Sequence, residues 1–292
     1  EKDFDLAEGQ AERLIQTESA FFIEAATLKS YEETGVDEYK ILATLDYKTS
    51  AICRSMDGKV FSRKDAVTGV NYPPFHCRCR TTTVPLTGYE DMFEPGERVA
   101  RNADGDIYYV PEDMTYPEWY KKYVEDDPEE ALKVKKLQNR RADKEQYERY
   151  KKRLGKENVP ETLDMWQEKK YNGSEDHKAL ERSYRTIGEI EGKSQWSDTF
   201  RQKAIDAYWE FKQNGIEMSA HAVGRFLDRC EGMFTLNDIV MQAKRRFNYI
   251  QPDGRYVKFY NGIAMIYNSS GTEVVSLVMR NTIKKDWSEL HD

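Results

Sequence analysis

The first 45 residues carry a hydrophobic pattern that changes from helical to extended. Apolar side chains recur at steps of three and four over 6–28, and Gly35 interrupts them, which predicts a helix that ends there. The stretch 39–45 favours a strand. From there to Pro85 we predict short strands and turns, because glycines and prolines divide the chain into brief segments.

Residues 86–195 have a different pattern. An irregular stretch, with a hairpin predicted at Asp104–Gly105, precedes a segment over 128–155 that is dense in Glu, Lys and Arg. Such a composition is typical of a solvated helix. Helical spacing of apolar residues then continues to Gly192. The pattern predicts a charged, mainly helical connector.

The last hundred residues change from helical to alternating periodicity. An amphipathic helix is predicted over 200–214, and Ser219 and Thr235 are the expected N-caps of two more. Alternation with a period of two follows in the stretches 256–260, 262–267 and 273–282. Helices followed by an antiparallel meander predict a compact α+β domain.

These patterns together predict an α+β protein with three parts. A helical N-terminal domain with small β elements occupies residues 1–85, and the charged connector occupies residues 86–195. Helices packed on a short antiparallel sheet form the third part, residues 196–292. Length alone suggests about two domains for a chain of this size.

Composition restricts the classes of function. Charged residues make up 33% of the chain, and no apolar run reaches the ~18 residues that a membrane span needs. The N-terminal residues lack the features of a signal peptide, so we expect neither membrane insertion nor secretion by that route. Residues 196–292 contain thirteen Lys and Arg and twelve Asp and Glu, a net charge of +1. Because the chain as a whole carries −7, residues 1–195 carry −8. The whole chain is therefore not a basic coat for nucleic acid.

Three of the four cysteines lie near a histidine in the first third of the chain. Thiols and an imidazole are the soft ligands that tetrahedral Zn²⁺ prefers, and a tight turn lets His76 and Cys79 reach one point. We therefore predict a structural zinc ion with three ligands: Cys53, His76 and Cys79. The fourth ligand is left open between Asp46 and Cys77. The alternative is a buried thiol cluster without metal, in a reducing compartment.

The same region contains the motifs of a known phage family. The first helix carries an Arg and a Thr-Glu pair, an Asp-x-x-Thr-x-x-x-Cys run follows, and Pro-Pro-x-His-x-x-Cys-Arg occupies residues 73–80. Over residues 10–85 the chain resembles the phage head morphogenesis domain of the Mu protein F and SPP1 minor head protein family. The resemblance implies a minor component of the virion, with phage portal and head proteins as its partners.

The second predicted helix of the C-terminal domain offers one titratable group and two cations. His221, Arg225 and Arg229 follow at four-residue spacing and so share a helical face. Metal-free RNA cleavage needs a base for the 2′-hydroxyl proton and cations for the charge that develops on the phosphate. The predicted strands supply partners across a cleft: Arg255, Lys258, Tyr260, Ser276, Arg280, Asn281 and Thr282.

Over residues 200–285 this arrangement resembles the barnase, EndoU, colicin E5/D and RelE-like group of nucleases. The resemblance implies a general acid or base at His221 and phosphate contacts at Arg225 and Lys258, with no cofactor for catalysis. The predicted catalytic set is completed by Tyr260, Ser276 and Thr282. The predicted RNA-binding set is Arg229, Arg255, Arg280 and Asn281.

Two hypotheses of function follow. In the first, a minor head protein carries a metal-independent ribonuclease toxin that cuts RNA such as tRNA in the host bacterial cytoplasm, with an immunity protein as a further partner. In the second, the head protein is purely structural, and its C-terminal domain binds DNA, portal or scaffold without catalysis. The second hypothesis needs no catalytic role for Arg225 and Arg229, because both can pair with nearby acids such as Asp228. Such a surface pair contributes only ~0–1 kcal/mol.

Overall fold

The computed structural model describes residues 2–89, 92, 94, 96–230 and 232–290, with side chains from residue 8 onward. The chain divides into two compact units, residues 1–142 and 143–292. Each combines helices with antiparallel strands, which confirms the predicted α+β class. The boundaries predicted at residues 85 and 195 fall inside these units, and the three-part division stays a prediction.

The N-terminal unit is built from a long helix, two small sheets and short helices. Its elements in chain order are α1 (Lys2–Thr34), β1 (Glu38–Leu42), α2 (Ala51–Met56), β2 (Val60–Ser62), β3 (Thr82–Leu86), β4 (Glu97–Arg101), β5 (Ile107–Pro111) and α3 (Tyr116–Tyr120). Strands β2, β1 and β3 form an antiparallel sheet in that order, and β4 pairs with β5. The β4–β5 connection contains Gly105 at φ +93°, which confirms the predicted hairpin.

The core around β1 holds the segment that carries the predicted metal ligands. Tyr39 of β1 is fully buried and packs edge to face on Tyr72, with ring centroids 5.1 Å apart. The hydroxyl of Tyr72 donates a hydrogen bond to the carbonyl of Glu24 in α1 at 2.9 Å. Burial of each such side chain contributes about 1.5–3 kcal/mol. The segment 63–80 is thereby fixed against both the sheet and α1.

Helix α4 (Pro128–Leu154) confirms the charged helix predicted over 128–155, and the division between the two units falls within it. The other elements of the C-terminal unit are α5 (Leu163–Tyr171), α6 (Glu175–Glu191), α7 (Asp198–Gln213), α8 (Ala220–Arg225), α9 (Leu236–Ala243), β6 (Tyr249–Ile250), β7 (Tyr256–Tyr260), β8 (Ile263–Tyr267), β9 (Val274–Met279) and β10 (Ser288–Glu289). The predicted caps are confirmed, because the side chain of Ser219 accepts from the backbone N–H of Ala222 and Thr235 forms a capping box with Asp238. None of the described helices has the length and apolarity that a membrane crossing requires.

The sheet of the C-terminal unit is antiparallel, in the order β10-β6-β7-β8-β9. On one face, Met265 and Leu277 belong to the large core that the helices cover. On the other face, Val257 and Ile266 pack in a smaller cluster with Trp287. Successive residues of a strand point to opposite faces, so the register assigns each strand residue to one cluster or the other.

Candidate metal centre

Three ligand atoms from distant positions meet in the N-terminal unit. The sulfur of Cys53 lies 3.1 Å from Nε2 of His76 and 3.7 Å from the sulfur of Cys79. All three atoms lie within 4.8 Å of one another. Two thiolates that bind one Zn²⁺ at about 2.3 Å with a tetrahedral angle are about 3.8 Å apart. The observed separation of the sulfurs therefore fits a shared tetrahedral ion.

Local structure places these atoms. Ser50 is the N-cap of α2 and accepts a hydrogen bond from the backbone N–H of Cys53 at 3.3 Å, which fixes Cys53 in the first turn. The backbone N–H of Cys79 donates to the carbonyl of His76 at 3.2 Å, and Arg78 between them is left-handed at φ +56°. The tight turn predicted between His76 and Cys79 is thus confirmed.

Hydrogen bonding sets the tautomer of His76. Its Nδ1 lies 2.8 Å from the carbonyl oxygen of Cys77, and a carbonyl can only accept, so Nδ1 carries the proton. In the neutral imidazole Nε2 is then the nitrogen with a free lone pair, and it lies 3.1 Å from the sulfur of Cys53, on the side where a metal-ligating imidazole needs it. The hydroxyl of Ser50 lies 2.8 Å from the same Nε2. Ser50 was not predicted from the sequence as part of the site, although its place before α2 is a recognisable cap signal.

A hydrogen bond joins the two buried thiols of Cys53 and Cys79. A hydrogen bond from Cys53 lowers the pKa of Cys79 to about 5, with further help from backbone hydrogen bonds at Phe75 and Thr81. The same hydrogen bond, together with burial, raises the pKa of Cys53. The shared hydrogen bond therefore favours the thiolate at Cys79 over the thiolate at Cys53, and a soft cation that binds both sulfurs would displace their protons.

Neither residue considered for the fourth ligand joins the three. The carboxylate of Asp46 is bound by both terminal nitrogens of Arg80 and accepts from the hydroxyl of Thr49 at 3.0 Å. Cys77 is exposed, and a hydrogen bond donated by Arg13, together with the charge of Arg13, lowers the pKa of its thiol. Among the described residues, the group that could hold an ion has three members.

The predicted catalytic helix face is present in part. His221 is exposed on α8, and Nε of Arg225 donates to its Nε2 at 3.3 Å. The pKa of His221 is lowered by partial desolvation and by the positive charges of Arg225, Lys193 and Arg229. Helix α8 ends at Arg225, and a wider π-helical turn over 226–230 follows. Arg229 is therefore not held at the α-helical spacing from which its position was predicted.

The side chains of Lys258 and Tyr260 donate hydrogen bonds to backbone carbonyls of the C-terminal unit. The ammonium of Lys258 donates to the carbonyl of Ala243 and lies 4.6 Å from the ring centroid of Phe247. Its side chain is buried, and this burial lowers its pKa. The hydroxyl of Tyr260 donates to the carbonyl of Arg246 at 3.0 Å. The polar atoms of both side chains, which were predicted to take part in catalysis, instead donate to backbone carbonyls of the same unit.

Ser276 and Lys258 lie on opposite faces of the sheet. Lys258 pairs with Met265, which belongs to the helix-covered core. Ser276 pairs with Ile266, which belongs to the cluster around Trp287. Residues that are directly paired across antiparallel strands share a face. The structure therefore does not bring Ser276 and Lys258 into one cleft.

The remaining predicted residues lie on connections next to the strands, where Arg280 is half-buried and the others are exposed. The side chain of Arg255 pairs with Asp253 at 3.4 Å, and Arg280 lies over the ring of Trp287 at 5.5 Å. The carbonyl of Thr282 accepts from Nε of Arg280 at 3.2 Å. Asn281 is exposed next to it. The stacking of Arg280 on Trp287 assigns it to the face that carries Ser276, away from Lys258.

Residues 1–84 match the family model described as Phage Mu protein F like protein. This match confirms the N-terminal resemblance predicted over residues 10–85. The family suggests a phage head morphogenesis protein, located in the virion, with other head or portal proteins as its partners. No curated protein and no solved structure matches the chain. The resemblance of the C-terminal part to toxin nucleases stays a prediction.

Proposed function

We propose that the protein is a minor head protein of a phage virion whose N-terminal unit is stabilised by a structural zinc ion. The observation that carries the proposal is the convergence of Cys53, His76 and Cys79 within the segment that matches the head morphogenesis family. Two buried sulfurs and an imidazole with a fixed tautomer are the ligand chemistry of structural zinc. The ion would join α2 to the turn before β3, two segments that are distant in sequence.

We further propose that the C-terminal unit is a binding module without catalysis, acting on another component of the head. The engagement of Lys258 with Ala243 and the placement of Ser276 on the opposite face support this part of the proposal. Catalysis requires the reacting groups to converge on one position within hydrogen-bond reach. The described contacts of His221 are with a cation of its own helix rather than with groups of the sheet.

Complementation of a phage that lacks this gene tests the assembly role. A gene with Cys79→Ser should restore at least tenfold fewer infectious particles than the natural gene, because the N-terminal unit loses its ion. Cys77→Ser, a matched change two residues away and outside the ligand set, should restore normal titres. Equal titres from the two variants would contradict a role for the metal centre in head assembly.

The ribonuclease hypothesis is the second candidate, because His221 is exposed beside Arg225 with two further cations, Lys193 and Arg229, acting on it. Under this hypothesis the partners are RNA such as tRNA and an immunity protein, and the site of action is the host cytoplasm. Catalysis would need no cofactor. The full chain and a His221→Ala variant can be incubated with tRNA and EDTA. Cleavage that the variant loses would establish the enzyme. Intact tRNA in both reactions would support the binding module.

A further inference from the structure

A cleft of about 800 Å³ lies between α1 and the turn that carries the metal ligands. His76 and Cys79 line it, and so do three cationic residues: Lys48, Arg78 and Arg80. The wall on α1 consists of Ile15, Gln16, Ser19, Ala20 and Ile23. In the part of the chain that the structure describes, this lining includes no acidic side chain.

The α1 wall of the cleft is an unpartnered apolar surface. Ile15 and Ile23 of this wall are 65% and 62% exposed. Aliphatic side chains of this size are costly to leave in water, and an apolar surface rimmed by charge is typical of a site that binds another molecule.

The opposite wall favours an anion. Arg80 is paired with Asp46, and Arg78 lies 3.6 Å from Glu12, so part of their charge is already balanced. Lys48 is exposed, and its backbone N–H donates to the carboxylate of Asp46 at 2.9 Å, whereas the described contact of its ammonium is with the ring of Tyr47 at 5.6 Å. A tetrahedral ion held by three protein ligands also keeps one position for an outside ligand.

We propose that this cleft binds an acidic, aliphatic peptide segment of a partner protein, and that a carboxylate of this segment completes the coordination of the metal ion. The proposal rests on the metal centre proposed above. Aliphatic residues of the segment would cover Ile15 and Ile23, while its acidic residues would face Lys48. A nucleic acid fits less well, because bases stack on aromatic rings and the described lining of the cleft is aliphatic and polar.

Selection from a library of random 12-residue peptides on the zinc-loaded full chain tests the cleft. Enriched peptides should combine Asp or Glu with Leu, Ile or Val. By fluorescence anisotropy, they should bind at least tenfold more weakly to Lys48→Glu and to Ile23→Asp than to the natural chain. Lys64→Glu makes the same charge change at an exposed position outside the cleft and should bind as the natural chain does.

Several results would overturn the proposal. They are a selection without enrichment, enriched peptides that lack carboxylates, and equal losses for Lys48→Glu and Lys64→Glu. A 20-base-pair DNA duplex that binds through Lys48 more tightly than any selected peptide would assign the cleft to a nucleic acid instead.

The metal arm of the experiment separates this inference from the metal centre itself. Zinc content is measured first, and a chain that binds no zinc would refute the metal centre. The peptide selection would still show whether the cleft binds an acidic, aliphatic segment. In the Co²⁺-loaded chain, a selected peptide should change the visible absorption bands of the ion, because its carboxylate enters the coordination sphere. Peptide binding that leaves these bands unchanged would overturn the coordination step.

Discussion

Arg98 holds the carboxylate of Asp57 through two hydrogen bonds, with Nη2 3.1 Å from Oδ1 and Nη1 3.2 Å from Oδ2. Both residues are only 8% exposed. The same carboxylate accepts from the backbone N–H groups of Ala43 and Tyr116, each at 2.7 Å. One buried charge therefore joins β4, the chain after β1 and the start of α3, next to the helix that carries Cys53.

Removal of this charge should destabilise the protein strongly. Asp57→Ala leaves the guanidinium of Arg98 buried without its partner, a change that costs about 3–5 kcal/mol. Urea denaturation should show the loss as a lower midpoint. Glu32→Ala removes the exposed partner of Lys29 and should leave the midpoint nearly unchanged, because solvent screens the pair. Similar costs for the two variants would contradict the buried network.

Metal removal should destabilise the N-terminal unit. An ion bound at about a thousand times its dissociation constant contributes about 4 kcal/mol, and its loss lowers the Tm of a unit of this size by about 10 °C. A strong chelator should produce that shift in the natural chain and in Cys77→Ser. Cys79→Ser should already melt at the lower temperature and respond little to the chelator. A chelator shift of the same size in both variants would exclude Cys79 as a ligand.

The convergence of Cys53, His76 and Cys79 could be predicted from the sequence, whereas the network beside them could not. Cys53, His76 and Cys79 can be recognised in the sequence as candidate ligands, because few other roles bring thiols and an imidazole together. Asp57 stands in a recognisable Asp-Gly turn, but 41 residues separate it from Arg98, and no local pattern links the two. Long-range pairing of single charges is decided by how the elements pack, which the sequence does not state.

A second buried carboxylate should make the C-terminal unit sensitive to acid. Burial raises the pKa of Asp143, but hydrogen bonds from Gln167, Lys170 and Tyr171 outweigh it, so the pKa lies below its usual range. A carboxyl group with a lowered folded pKa adds stability above its unfolded pKa of about 4, and this contribution is lost as the pH falls through the folded value.

Asp143→Asn should therefore cost about 2–4 kcal/mol at pH 7, because Lys170 loses its partner. Urea denaturation at several pH values should also show a weaker loss of stability on acidification below about pH 5 than the natural chain has. Asp228→Asn, at an exposed position, is the matched control and should behave as the natural chain does. An unchanged acid response in Asp143→Asn would refute the assignment.

Two glycines in helices should respond oppositely to alanine. A Cβ on Gly224 of α8 would lie 2.5 Å from Cζ2 of Trp196, so Gly224→Ala should cost about 1–3 kcal/mol through overpacking. Gly9 of α1 has open space around the same position, and Gly9→Ala should gain about 0.5–1 kcal/mol from helix propensity. Thermal unfolding distinguishes the signs, and a Gly224→Ala variant as stable as the natural chain would contradict the packing of α8 on Trp196.

The strand and helix positions of the C-terminal unit were predictable from periodicity, but the faces of its candidate catalytic residues were not. The pairing of β8 with β9 shifts register between Ile266 and Tyr267, so simple alternation fails near Ser276. The π-helical turn after Arg225 likewise displaces Arg229 from its expected spacing. Single-residue irregularities of this kind have no reliable signature in one sequence, and each redirects a side chain.

The zinc content of the purified full chain tests the central claim most directly. Elemental analysis should find about one zinc ion per chain, retained by Cys77→Ser and lost from Cys53→Ser, His76→Ala and Cys79→Ser, because each of the three supplies a ligand atom to the same ion. A zinc content near zero in the natural chain, or full retention in the three ligand variants, would contradict the metal centre and leave a buried pair of thiols beside a histidine.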